Sequence, residues 1–191
     1  MFNSLKFKVI LFGFIFTFFS SFGQSYFLGL FNSSIREALS ITHGQFGSIY
    51  ASATLCSSLL LIWVGKKIDD VNIFKFAFFV TILLSFACFF FSRITSVFLL
   101  FIAIFLMRFS GQGMMSHTAS TTISRYFTKT RGRALSISWF GLSSAEFIMP
   151  VLMVYLLTFI DWQNLWLIFS ISVLIILPIA SFLLIKNLNL D

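Results

Sequence analysis

Two ionisable residues, Arg108 and Glu146, lie deep inside long apolar runs, where a charge needs a partner or a task. Arg108 stands 11 residues after Val97 and Glu146 stands 12 after Ala134. At about 1.5 Å per helical residue, both fall near the middle of an apolar layer about 30 Å thick. An isolated charge there costs about 3 kcal/mol or more. At matched depth on consecutive helices, the two can form a structural ion pair. They can equally form a site where a proton or an anion displaces one partner. Helical spacing puts Gln112, Met115 and Ala119 on the Arg108 face and His117 on the opposite one. Gly111 and Gly113 allow another backbone, or a ligand, to come close.

The elements that must position these residues are set by composition. Of 191 residues, 59% are hydrophobic and only 10% charged, against about 25% charged in a typical soluble domain. So few charges cannot cover a soluble fold of this size, and lipid must solvate much of the chain. Six segments reach the roughly 20 apolar residues a spanning helix needs: 9–31, 44–64, 73–91, 97–124, 134–159 and 165–185. Helices are required because lipid leaves no partner for an open backbone group. The fold class is therefore all-α and membrane-embedded, a single six-helix domain over 1–191.

The formal charge of +7 raises the question of nucleic acid, but the cations form short clusters between apolar runs, with no continuous basic face. One side carries Lys6, Lys8, Lys66, Lys67, Lys75, Arg125, Lys129, Arg131, Arg133 and Lys186; the other carries only Arg36 and Arg93. That asymmetry predicts an inner-membrane protein with both termini in the cytoplasm. Lys6 and Lys8 ahead of 9–19 and Ser21-Phe22-Gly23 could also be read as a signal peptide. The apolar character resumes at 26–31, however, and cleavage would leave five spans. Thr42-His43-Gly44-Gln45 has the pattern of a capping box opening the second span, and Asn32-Ser33-Ser34 reads as loop. Cys56 and Cys88 lie in apolar runs as packing residues, so neither a disulfide framework nor a metal site is expected.

Helices in lipid associate through small residues. The second span carries Gly44, Ser48, Ser52 and Cys56 at a spacing of four, and the fifth carries Ala134, Ser138, Gly141 and Ala145, both expected as helix contacts. The second and fifth spans would be equivalent members of two inverted three-helix repeats. Gly23-Gln24 in the first span and Gly111-Gln112 in the fourth each lie about 15 residues into their span, at mirror-related depths if such repeats exist. Pro150 and Pro178 interrupt the fifth and sixth spans, where kinks for packing or gating are expected.

These residues together resemble the amino-terminal six-helix half of the major facilitator superfamily, and the resemblance covers essentially the whole chain. Arg108-Phe109-Ser110-Gly111-Gln112-Gly113 is similar to the family's Arg-x-x-Gly-x-Gly pattern in the fourth span. Gly65-Lys66-Lys67-Ile68-Asp69-Asp70 is similar to its signature loop Gly-x-x-x-Asp-Arg-x-Gly-Arg-Arg at Gly65 and Asp69. It departs at Asp70, Asn72, Ile73 and Phe74, which weakens the expectation of the usual gate latch. Arg131-Gly132-Arg133-Ala134, followed by Gly141, Glu146 and Pro150, resembles the opening of the family's fifth span. Gly111-Gln112-Gly113-Met114-Met115-Ser116-His117 is loosely similar to monocarboxylate and oxalate–formate carriers.

The resemblance implies half of a twelve-helix, alternating-access carrier with a midplane site. Arg108 matches a functional arginine, while Glu146 rests on depth alone. The expected substrate is a small organic anion moved with protons, with Arg108, Glu146, Gln112 and Gln24 at the site. Gly65, Asp69, Arg131 and Arg133 are expected at the gate, and Gly111, Gly113, Gly141 and Pro150 in helix packing. A second six-helix half is expected from a longer chain or another polypeptide, or else from a second copy. No cofactor is expected. An intramembrane enzyme is disfavoured because neither His43 nor His117 is placed to activate Ser143 or Ser144. The remaining alternative is a non-transporting membrane subunit or scaffold.

Overall fold

A computed structural model describes residues 4–186 and Leu188. Every regular element among them is helical: α1 (Ser4–Ser20), α2 (Ser25–Gly29), α3 (Asn32–Leu39), α4 (His43–Val64), α5 (Ile73–Phe91), α6 (Val97–Met107), α7 (Ser116–Tyr126), α8 (Arg131–Leu156) and α9 (Trp162–Ile185). Short 3₁₀ turns fill Ser21–Gly23 and Gly65–Asp69, and a π-helix fills Arg108–Met115. Six of the resulting rods are long and apolar enough to cross a membrane. They fall on the six expected segments, with ends moved by a few residues. The chain termini themselves lie outside the described residues.

Local chemistry explains most of the helix ends. Thr42 Oγ1 accepts from the Gln45 amide at 3.2 Å while Gln45 Oε1 accepts from the Thr42 amide at 2.8 Å, so the capping box forms. Asn72 and Ser96 cap α5 and α6 through their side chains. The stretch 32–34, expected as loop, instead opens α3. Asn32 Oδ1 accepts from Arg36 Nε at 2.6 Å one turn on, and Ile35 is fully buried, so a single amphipathic turn is enough to hold it. It stops at Ser40, the residue with φ of 52°. Helices α8 and α9 run through Pro150 and Pro178 without losing helical structure.

The spans pack most extensively as first on fifth, second on fourth, third on sixth, first on fourth, third on fourth and first on sixth. Exchanging first with fourth, second with fifth and third with sixth leaves that set of pairs unchanged, as two three-helix repeats require. On the fifth span the small stripe works as expected. Ala134, Ser138, Gly141 and Ala145 are buried; Gly141 sits beneath the Phe14 carbonyl with no room for a Cβ, and Thr17 Oγ1 donates to the Ser138 carbonyl at 2.6 Å. On the second span it does not. Gly44, Ser48, Ser52 and Cys56 all lie on the exposed side of α4, because that helix docks through the opposite side, Phe46, Ala53 and Ser57.

The first, third and sixth spans are joined by an aromatic cluster in which Trp166 packs on Phe27, Phe31 and Phe91 at centroid distances of 5.6, 5.1 and 4.5 Å. Beside it, Ser85 Oγ donates to the Ser170 carbonyl at 2.9 Å and Ser170 Oγ donates back to the Ser85 carbonyl at 2.8 Å. Such reciprocal bonds hold two helices where no water competes.

Candidate functional site

The first and fourth spans are both broken where they cross. Span one leaves the helix at Gly23 and restarts after Gln24, which has extended backbone angles (φ −80°, ψ 152°). Span four passes into the π-helix at Arg108. The two glycines make this crossing possible. A Cβ on Gly111 would lie 2.7 Å from the Gly23 nitrogen, and one on Gly23 would overlap the Met107 carbonyl and the Gln112 amide. The Gly-Gln motifs expected at mirror-related depths therefore meet directly. The depth count took each span as an unbroken helix entering the apolar layer at its first apolar residue, and neither span is unbroken.

Arg108 stands at this crossing and is 8% exposed. Its Nη1 donates to the Gly23 carbonyl at 2.9 Å, a carbonyl left available by the break, and to Ser25 Oγ at 3.3 Å. Its Cζ lies 5.4 Å from the ring centre of Tyr50 on α4. The Tyr50 hydroxyl donates to the same Ser25 Oγ at 2.9 Å. Both hydrogen bonds leave from Nη1, and Nε is buried without a partner among the described residues. No carboxylate among those residues pairs with Arg108.

Beside the guanidinium is a partly open cavity of about 160 Å³ lined by Ser57, Ser58, Leu61, Arg108, Gln112 and Gly113. Ser57 and Ser58 both donate their hydroxyl protons to the Thr54 carbonyl, at 2.8 and 2.9 Å, so what they offer the cavity is lone pairs. Arg108 and Gln112 supply the donors.

Below the cavity, span four and α4 meet in a ladder. Gly113 packs on Leu61, His117 Nε2 hydrogen-bonds the Gly65 carbonyl at 2.9 Å, and Arg125 Nη2 reaches Asp69 Oδ1 and the Ile68 carbonyl. Along α4 and the turn after it, the rungs 57, 61, 65 and 69 repeat every four residues. On span four the first three face 108, 113 and 117, with a first interval of five, and Arg125 reaches 69 from two turns further on. The π-helix explains the interval of five, since i→i+5 bonding puts more residues in each turn. This corrects the expectation for His117: with 3.6 residues per turn it faces away from Arg108, but through a π segment it returns to the same side. Met115 and Ala119, expected on the Arg108 face, are fully buried and take no part in the cavity.

The other expected residues separate. Glu146 lies on the exposed side of α8 and makes no ion pair with Arg108. Gln24 is half-buried at the break. Asp69 meets Arg125, not Arg131 or Arg133; Arg131 donates to the Ser124 carbonyl at 3.2 Å, and Arg133 is exposed. Pro150 is half-buried on α8. Tyr50, Ser25, Ser57, Ser58 and Arg125 were not singled out from sequence, because nothing in their spacing links one span to another.

The sequence model of the Major Facilitator Superfamily matches residues 13–188, which include the broken first span, the Arg-x-x-Gly-x-Gly crossing and the loop aspartate tied to the fourth span. The chain belongs to this family. No curated protein and no solved structure gives a significant match. Membership makes it a multi-pass membrane protein of a transport family, with six helices corresponding to half of the Major Facilitator fold. Within that fold the cavity at Arg108 is a polar, cationic space between the second and fourth spans.

Proposed function

We propose that this chain is the amino-terminal half of an alternating-access carrier that moves a small organic anion together with protons. The observation that carries the reading is Arg108: a buried guanidinium in the fourth span, unpaired with any described carboxylate, beside a cavity to which Gln112 adds an amide. A charge held there costs about 3 kcal/mol or more, and an anion entering the cavity would offset that cost. Arginine suits a carboxylate because its planar fork donates two parallel hydrogen bonds.

For the proton, Glu146 is the carboxylate in the middle of a spanning helix, where an ionisable group is costly unless it has a task. The excess of Lys and Arg in the loops on that side supports a cytoplasmic end for the ladder from Gly65 to Arg125 in an inner-membrane protein. The open side of the cavity and the exposed faces of α4 and α8, with Trp63 75% and Phe147 82% exposed, would meet a second six-helix half.

The test is uptake of radiolabelled acetate, lactate and oxalate into proteoliposomes holding the intact protein, with and without an inward proton gradient. Arg108→Ala should abolish uptake while the protein still assembles, and Glu146→Gln should retain binding but lose the response to the gradient. Greater flux for a neutral or cationic solute would overturn the reading.

A further inference from the structure

Tyr50 makes two contacts that converge on one group. Its ring lies against the Arg108 guanidinium, and its hydroxyl donates to Ser25 Oγ, which also accepts from Arg108 Nη1. A side chain that only filled space would need neither contact. Tyr50 is itself held from behind: Phe46, one turn earlier on α4, is buried and stacks on it at 6.3 Å with the rings 23° apart. Two turns further along α4 lies Ser57, on the wall of the cavity. Tyr50 therefore ties the second span, the restart of the first and the arginine of the fourth into one lock, just above the space an anion would enter.

We propose that Tyr50 is the positioning residue of the anion site, holding the Arg108 guanidinium in one plane before the anion arrives; this rests on the anion reading given above. Arginine has a long side chain with much rotamer freedom, and an unheld one must be frozen when the ligand binds. The ring fixes the plane through cation–π attraction. Ser25 fixes the position along that plane by accepting from both partners. The ring carries the larger part, because the Gly23 carbonyl already anchors Nη1 without Ser25.

The experiment is calorimetric titration of the intact protein in detergent with acetate, lactate and oxalate, using wild type, Tyr50→Phe, Tyr50→Trp and Tyr50→Leu. Tyr50→Leu should weaken binding by about 2–10-fold, the equivalent of one arginine side chain no longer held in advance. Tyr50→Phe and Tyr50→Trp keep an aromatic face and should stay within about 2-fold of wild type. In proteoliposomes the Leu variant should raise KM by the same factor and leave Vmax unchanged, a split that general loosening of the fold would not give. Wild-type affinity in Tyr50→Leu, or equal losses in Tyr50→Phe and Tyr50→Leu, would overturn the positioning role while leaving the anion site standing. A wild type that binds none of the three anions would overturn the anion reading, and the positioning role with it.

Discussion

Gly111→Ala is the smallest change that tests whether the crossing of the two broken spans holds the site together. The new Cβ would lie 2.7 Å from the Gly23 nitrogen and 2.8 Å from its Cα, whereas ordinary contact begins near 3.4 Å. The obstructing atoms are backbone, so no side chain can rotate away, and the spans must part by about 0.7 Å. Overpacking of this kind costs about 1–3 kcal/mol. The same movement stretches the 2.9 Å bond from Arg108 to the Gly23 carbonyl to the edge of hydrogen-bonding range. A bond to a charged group contributes about 1.5–3 kcal/mol. Replacing glycine inside a helix returns up to about 1 kcal/mol. The net expectation is a loss of about 1.5–6 kcal/mol, the range those terms leave. Unfolding by SDS in bicelles, followed by tryptophan fluorescence, measures it. The control is Gly132→Ala, where no atom lies within 4 Å of the would-be Cβ, and it should stay within about 0.5 kcal/mol of wild type. If Gly111→Ala also stays within that margin, the close crossing does not exist and the account of Arg108 fails with it.

Three further outcomes are expected. Ser85→Ala and Ser170→Ala each remove one of two reciprocal bonds between the third and sixth spans, and each should cost about 0.6 kcal/mol in the same unfolding assay. Arg125→Ala should cost no more than about 1 kcal/mol, since Asp69 is largely exposed, and a double-mutant cycle with Asp69→Asn should return a coupling of about 0.2–1 kcal/mol. His117→Ala leaves the Gly65 carbonyl without its partner, so hydrogen exchange in Gly65–Asp69 should accelerate by about 5-fold, the equivalent of a typical bond of about 1 kcal/mol.

Much of the fold was legible because lipid imposes rules that act on one segment at a time. Apolar length alone located the six spans, and the Thr42–Gln45 capping box could be read from residues three apart. The stripe on the fifth span was legible for the same reason, since Gly141 admits a neighbouring backbone whichever helix supplies it. The matching stripe on α4 shows the limit of that argument. Small residues say that something can approach closely, but not which partner, and within the described chain the first span took α8 while α4 turned its stripe outward.

The site was legible only in its central residue. Arg108 announced itself by the cost of its charge, but its contacts lie on two other spans, and no periodicity relates Tyr50 to Ser25 or either to Arg108. The error over His117 came from a single assumption, that span four keeps 3.6 residues per turn. The sequence held the means to question it: Gly111 and Gly113 flank Gln112 in the same turn, and glycine gives a helix its weakest resistance to a change of winding. A wider turn at that point carries Arg108, Gln112 or Gly113, and His117 down one face, which is the order in which the ladder against α4 is built. The π-helix is therefore part of the site: without it, the residue that closes the ladder below the cavity would point away from the arginine above it.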